Sequence, residues 1–202
     1  FETGLQIVKK RAQLMQNAVP EGKGAMAAIL GLSDSEVVNI CHELQTNGVV
    51  EAVNFNSPGQ VVVAGDKIAI EASLEVFKSA GAKRAIILPV SVPSHCSLMK
   101  SAANEFGEFL KPIDFRNSKF PVIQNYEAIA YDNVDKIKEG LFYQMFNPVK
   151  WTQSIEFISV NKINTYLEIG PGKVLTSLGR RINKDLDFVS IDSIDSIDYL
   201  NK

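Results

Sequence analysis

Apolar residues near the start of the chain fall at Leu5, Val8, Ala12, Met15 and Val19. This three-to-four spacing predicts an amphipathic helix ended by Pro20-Glu21-Gly22. At about 100° per residue, Arg11 lies on the edge of that apolar stripe and Lys10 points well away from it. Arg11 therefore leans toward whatever the helix packs on, and helix geometry alone favours a snorkelling residue with its stem on the core.

From position 24 the pattern changes to short alternating segments. Residues 25–30 read as an apolar strand. Ser33, with Glu36 three positions on, forms a capping box for a helix through Val37, Ile40, Cys41 and Leu44, stopped by Asn47-Gly48. Residues 49–55 and 60–65 read as strands joined by the turn Asn56-Ser57-Pro58-Gly59. A helix over 67–80 shows Ile70, Leu74 and Phe77 on one face and ends at Gly81, and 84–90 closes the unit as a strand. The order β-α-β-β-α-β predicts a ferredoxin-like subdomain.

The rest of the chain alternates differently. Ser94 or Ser97 opens a helix through Met99, Phe106 and Leu110, halted at Pro112. Strands are expected at 120–124, 165–169 and 188–191, and helices at 134–145, 151–160 and 174–182. Such alternation predicts a parallel sheet in an α/β lobe, and three strands leave that sheet incomplete. The expected organisation is 1–23 as a helix of the large lobe, 24–90 as the inserted subdomain, and 91–202 as the remainder of the lobe. The acidic near-repeat from Ile191 to Asp198 reads as a frayed end.

Composition narrows the function classes. The 202 residues are 46% hydrophobic and 22% charged, which excludes a disordered chain. A net charge of −2, from 21 basic and 23 acidic residues, provides no global field for nucleic acid. Lys9-Lys10-Arg11 is too short for a nucleic-acid patch. No apolar run approaches the roughly 20 residues of a membrane span. The opening FETGLQIVKKR lacks the order of a signal peptide, so a cytoplasmic location is expected. Two cysteines support neither a disulfide framework nor a metal site.

Candidate chemistry begins with the two histidines. His42 stands beside Cys41 on a helix, where neighbours diverge by about 100° and cannot share a metal; it reads as a surface residue. His95 lies in Leu88-Pro89-Val90-Ser91-Val92-Pro93-Ser94-His95-Cys96, at the junction between the subdomain and the next helix. The prolines hold that junction extended. Spacing alone favours a structural histidine there over a general base. Cys96 as nucleophile is disfavoured, because sequence neighbours rarely face each other. Gly170-Pro171-Gly172-Lys173 lacks the spacing of a phosphate-binding loop and reads as a strand-to-helix turn.

Several strings taken together are more specific. Arg11 with Met15-Gln16-Asn17-Ala18-Val19-Pro20, Gly24-Ala25-Met26-Ala27-Ala28, and Val53 through Gln60 closely resemble the malonyl-CoA:acyl carrier protein transacylases of bacterial type II fatty-acid synthesis. So do Val90 through Cys96, Gln144 with Asn147-Pro148-Val149 and Trp151, and Glu168 with Gly170 through Leu175. The resemblance runs from about residue 5 to 185 in the family's order.

It implies a hydrolase-like parallel-sheet lobe interrupted by a ferredoxin-like subdomain. It implies that His95 is the general base, oriented by the backbone carbonyl of Gln144, and that Arg11 binds the malonyl carboxylate. Met15 corresponds to a residue lining the acyl pocket, and Asn56 lies in a segment facing the cleft. The implied reaction is ping-pong malonyl transfer from malonyl-CoA to the phosphopantetheine thiol of acyl carrier protein through a malonyl-serine. No cofactor, metal, nucleic acid or membrane is implied, and the complete enzyme is expected to be a monomer.

One departure matters. The family's Gly-His-Ser-x-Gly elbow, which carries the nucleophile, does not occur in this sequence. The chain, which also lacks an initiator methionine, is expected to be the back part of such an enzyme and inactive alone. The rival expectation is a non-catalytic module that docks the carrier protein.

Overall fold

Residues 1–90 and 92–197 are described by a computed structural model. Ser91, where the remainder of the large lobe was expected to open, and residues 198–202, including the end of the acidic near-repeat, lie outside the described residues.

Helix α1 (Glu2–Asn17) is followed by β1 (Gly24–Leu30), α2 (Asp34–Leu44), β2 (Val50–Ser57), β3 (Gln60–Asp66), α3 (Lys67–Ser79) and β4 (Arg84–Ile87). These four strands form an antiparallel sheet in the order β2-β3-β1-β4. Period-two alternation divides its faces. Ala25, Ala27, Ile29, Val61 and Val63 bury one face against Val37 and Cys41 of α2 and Ile70 and Phe77 of α3. Met26, Val62 and Ala64 turn the other way, onto Cys96. The capping box of α2 forms as its sequence predicts, with Ser33 Oγ accepting from the Glu36 N–H at 3.3 Å and Glu36 Oε2 accepting from the Ser33 N–H at 2.7 Å. Two edges differ from expectation. The closing strand stops at Ile87, ahead of the Pro89 that can donate no ladder hydrogen bond. Asn56, expected in a turn, lies inside β2, which continues to Ser57 through two register shifts.

A second core joins α1 to α4 (Lys100–Leu110) and to the turn after α5 (Val134–Tyr143). Leu14 and Met15 pack there with Met99, Phe106 and Met145. The expected face of α1 is only partly the buried one. Leu5 and Val8 are 54% and 63% exposed; Met15 is buried as the stripe predicts, Ile7 and Leu14 turn inward with it, and Ala18 and Val19 just beyond the helix pack on the same core. Lys10, expected to point away, sits with its Nζ 6.0 Å from the ring centre of Phe109.

The expected three-stranded parallel sheet is corrected. Strand β5 (Val122–Gln124) pairs antiparallel with β6 (Ile129–Tyr131), a short strand the apolar pattern is too brief to signal. Among the described residues, β7 (Thr165–Ile169) and β8 (Asp187–Ile191) are the strands that pair in parallel, flanked by α6 (Trp151–Val160) and α7 (Val174–Ile182). Along β7, Leu167 is 41% and Ile169 69% exposed, where a parallel sheet normally covers both faces. The described part of the acidic tail is a turn rather than a frayed end, with Ser196 Oγ donating to the Ser193 carbonyl at 2.7 Å.

Candidate active site

His95 follows the open face of the small sheet and is fixed from both sides. Next to it, Cys96 is fully buried against Met26, Val53, Val62 and Ala64, and its Sγ–H donates to the Pro93 carbonyl at 3.0 Å. Gly24 lets Pro93 lie close on β1: a Cβ there would fall 2.4 Å from Pro93 Cδ. One residue beyond Cys96, Ser97 donates its backbone N–H to Glu51 Oε2 at 3.0 Å and its hydroxyl to Glu51 Oε1 at 2.5 Å.

Between these anchors the backbone of His95 adopts φ 65°, a conformation that costs a non-glycine residue about 1–2 kcal/mol. Two successive carbonyls in the turn after α5 hold it there. The His95 backbone N–H donates to the Met145 carbonyl at 3.2 Å, and Nδ1 lies 2.6 Å from the Gln144 carbonyl. A carbonyl can only accept, so Nδ1 carries the proton and Nε2 keeps a free lone pair. That turn is itself braced. Phe142 and Phe146 meet edge to face at 5.3 Å, and Tyr126 stacks on Tyr143 at 5.5 Å. A short parallel bridge ties the following residues to β2, with Phe55 donating to Val149 at 2.9 Å and Val149 to Val53 at 2.8 Å.

Arg11 reaches the same turn from α1. Its Nη2 donates to the side-chain Oε1 of Gln144 at 2.8 Å. Its Nε is buried with no hydrogen-bond partner among the described residues. Burial lowers the pKa of the guanidinium, which still remains charged near neutral pH. For His95, burial is the main influence and lowers its pKa below the ordinary 6.5; the Gln144 carbonyl opposes this and the charge of Arg11 adds to it. A neutral imidazole with one free nitrogen, near an arginine with donors to spare, can move a proton beside a bound anion.

The structure thus brings Arg11, His95 and Gln144 together. Met15 is placed in the core beside Met99 and Phe106, because it faces α4. Asn56 is half-buried in β2 and hydrogen-bonds to neither Arg11 nor His95 among the described residues. His42 is exposed, as expected of a surface residue. Burial pushes the Cys96 thiol up to about 12, which removes it as a thiolate nucleophile. At the Gly170-Pro171-Gly172 turn the helix end is already filled: Glu168 accepts from the N–H groups of Leu175 at 3.0 Å and Thr176 at 2.7 Å. Sequence reasoning missed Glu51, the Met145 carbonyl and the side chain of Gln144. Each acts across a sequence separation that no local pattern signals.

No protein-family model matches the chain. It is 48% identical over 182 residues to the malonyl CoA-acyl carrier protein transacylase of Escherichia coli K12, a match covering 90% of this chain and 59% of that protein. It is 43% identical over 202 residues to the transacylase of the same name from Haemophilus influenzae, covering all of this chain and 65% of the relative. Among solved structures, a type II polyketide acyl-carrier protein in complex with its malonyl-transacylase superposes with a TM-score of 0.95 at 43% identity, covering 99% of this chain and 65% of that one. The chain therefore spans about three fifths to two thirds of the length of the relatives it matches.

Proposed function

Since this chain is homologous to the malonyl CoA-acyl carrier protein transacylases and matches 59–65% of their length, we propose that it supplies the general base and the carboxylate selector of such an enzyme. The reaction is transfer of a malonyl group from malonyl-CoA to the phosphopantetheine thiol of acyl carrier protein. The observation that carries the reading is the pairing of His95 Nδ1 with the Gln144 carbonyl at 2.6 Å.

The chemistry runs in two halves. Nε2 of His95 takes the proton of a serine hydroxyl as its oxygen attacks the malonyl thioester carbonyl. The tetrahedral intermediate collapses, the carbon–sulfur bond breaks, and the imidazolium returns the proton to the departing CoA thiolate. The carrier-protein thiol then gives its proton to Nε2 and attacks the malonyl-serine ester, and the serine oxygen recovers the proton. A carbonyl suffices as orienter because the imidazole needs its tautomer fixed, and no carboxylate is required for that. Arg11 offers its unused donors to the free carboxylate of malonyl, which acetyl lacks.

The serine lies outside these 202 residues, which contain no Gly-His-Ser-x-Gly string, so the chain alone is inactive in this reading. The same reading makes residues 24–90 a ferredoxin-like subdomain of a hydrolase-like lobe, supported by the strand order β2-β3-β1-β4.

The test is malonyl transfer to a carrier protein by the full-length polypeptide, read by intact mass spectrometry. A malonyl group should appear on the enzyme and pass to the carrier, and His95→Ala should slow both steps by about a thousandfold. Carrier binding with no malonyl on either protein would instead mark a non-catalytic docking module.

A further inference from the structure

Gln144 meets the site twice, and the chemistry above uses only its backbone. The carbonyl accepts from His95, while the side-chain Oε1 accepts from Arg11 Nη2 at 2.8 Å, across 133 positions of sequence. A guanidinium has five N–H donors in a rigid fork. Here Nε is buried without a hydrogen-bond partner, and no carboxylate forms an ion pair with Arg11 among the described residues. Among the described residues, one neutral oxygen therefore sets the rotation of this cation.

We infer that the Gln144 side chain is a positioning residue for Arg11, holding the guanidinium in the orientation that receives the free carboxylate of the acyl group. The inference rests on the reading of Arg11 as the carboxylate selector. An amide is suited to this task where an acid is not. A carboxylate at Oε1 would neutralise Arg11 and compete with the substrate, whereas an amide oxygen takes one hydrogen bond and leaves the charge available. One residue thereby aligns base and selector through separate atoms, so the side chain can be altered while the carbonyl stays.

The test uses the full-length enzyme and compares KM, kcat and pH profiles for malonyl-CoA and acetyl-CoA. Gln144→Met removes the acceptor at similar volume and should lower the malonyl-to-acetyl ratio of kcat/KM about tenfold, mainly through KM for malonyl-CoA. Gln144→Glu should lower the ratio further by occupying Arg11. In Gln144→Met the acid limb of the profile should stay in place, because it belongs to His95 and a backbone carbonyl; in Gln144→Glu the added negative charge offsets that of Arg11 and should move the limb upward. An unchanged ratio in either variant, an equal loss for both thioesters, or a moved acid limb with the ratio intact would overturn the inference. Arg11→Ala separates the two levels. If it erases malonyl preference while the Gln144 variants keep it, only this inference falls; if Arg11→Ala itself keeps the preference, the selector reading falls with it.

Discussion

The carboxylate of Glu51 on β2 grips Ser97 at two points, its backbone N–H at 3.0 Å and its hydroxyl at 2.5 Å, two residues after His95. It satisfies the first free N–H of the Ser97–Met99 turn and ties the His95 segment to the small sheet. Glu51→Ala should cost about 1 kcal/mol of stability, measured by urea unfolding. In the full-length enzyme it should lower kcat while leaving the malonyl-to-acetyl ratio in place, since Arg11 is held elsewhere.

Arg11→Ala should cut kcat/KM for malonyl-CoA by about 100-fold or more, and for acetyl-CoA far less. Arg11→Lys should recover only part of the loss, because an ammonium lacks the planar fork. Steady-state kinetics with both thioesters checks this. Equal losses would remove Arg11 from the selector role.

His95 has a folded-state pKa below 6.5, so the folded chain gives up this proton more readily than the unfolded chain does. Its contribution to stability is complete above 6.5 and is lost as pH falls from 6.5 toward the lower folded value. The acid limb of kcat/KM for the free enzyme should accordingly lie below 6.5. Histidine NMR titration of the folded protein reads the same group directly, and a limb above 6.5 would contradict the assignment.

Cys96 should resist alkylation in the native state and react once unfolded, since its thiol is fully buried and its pKa is pushed up to about 12. Peptide mapping after iodoacetamide treatment measures this. Rapid native labelling at Cys96 would reopen a thiol mechanism.

Gly24→Ala would set a Cβ 2.4 Å from Pro93 Cδ, so Pro93 must move and carry the approach to His95 with it. The expected cost is about 1–3 kcal/mol of stability, with a fall in kcat larger than the stability loss explains. Thermal unfolding together with turnover checks both.

Much of the fold was legible because its cues are local. The Ser33–Glu36 capping box, the apolar strand over 25–30 and the helix over 67–80 each rest on cues within a few residues, and each appears close to where the pattern predicts. The structure departs from the pattern where the apolar spacing gives no cue to the packing or pairing partner. Periodicity defines the stripe of α1, but which apolar residues become buried depends on α4, so Leu5 and Val8 remain outside. Strand β5 was expected in the parallel sheet, yet the nearby β6 captured it, leaving β7 and β8 as a pair.

By itself the sequence determined the order of the helices and of every strand but β6, the identity of His95 and Arg11 as the residues to examine, and the lack of a Gly-His-Ser-x-Gly elbow. Tertiary structure alone decided that Gln144 reaches His95 through its backbone and Arg11 through its side chain, across separations of 49 and 133 residues. Helical and strand periodicity reports only which face of an element an atom occupies. Hydrogen bonds of 2.6 and 2.8 Å between distant elements exist only once two cores have packed and fixed those faces against one another.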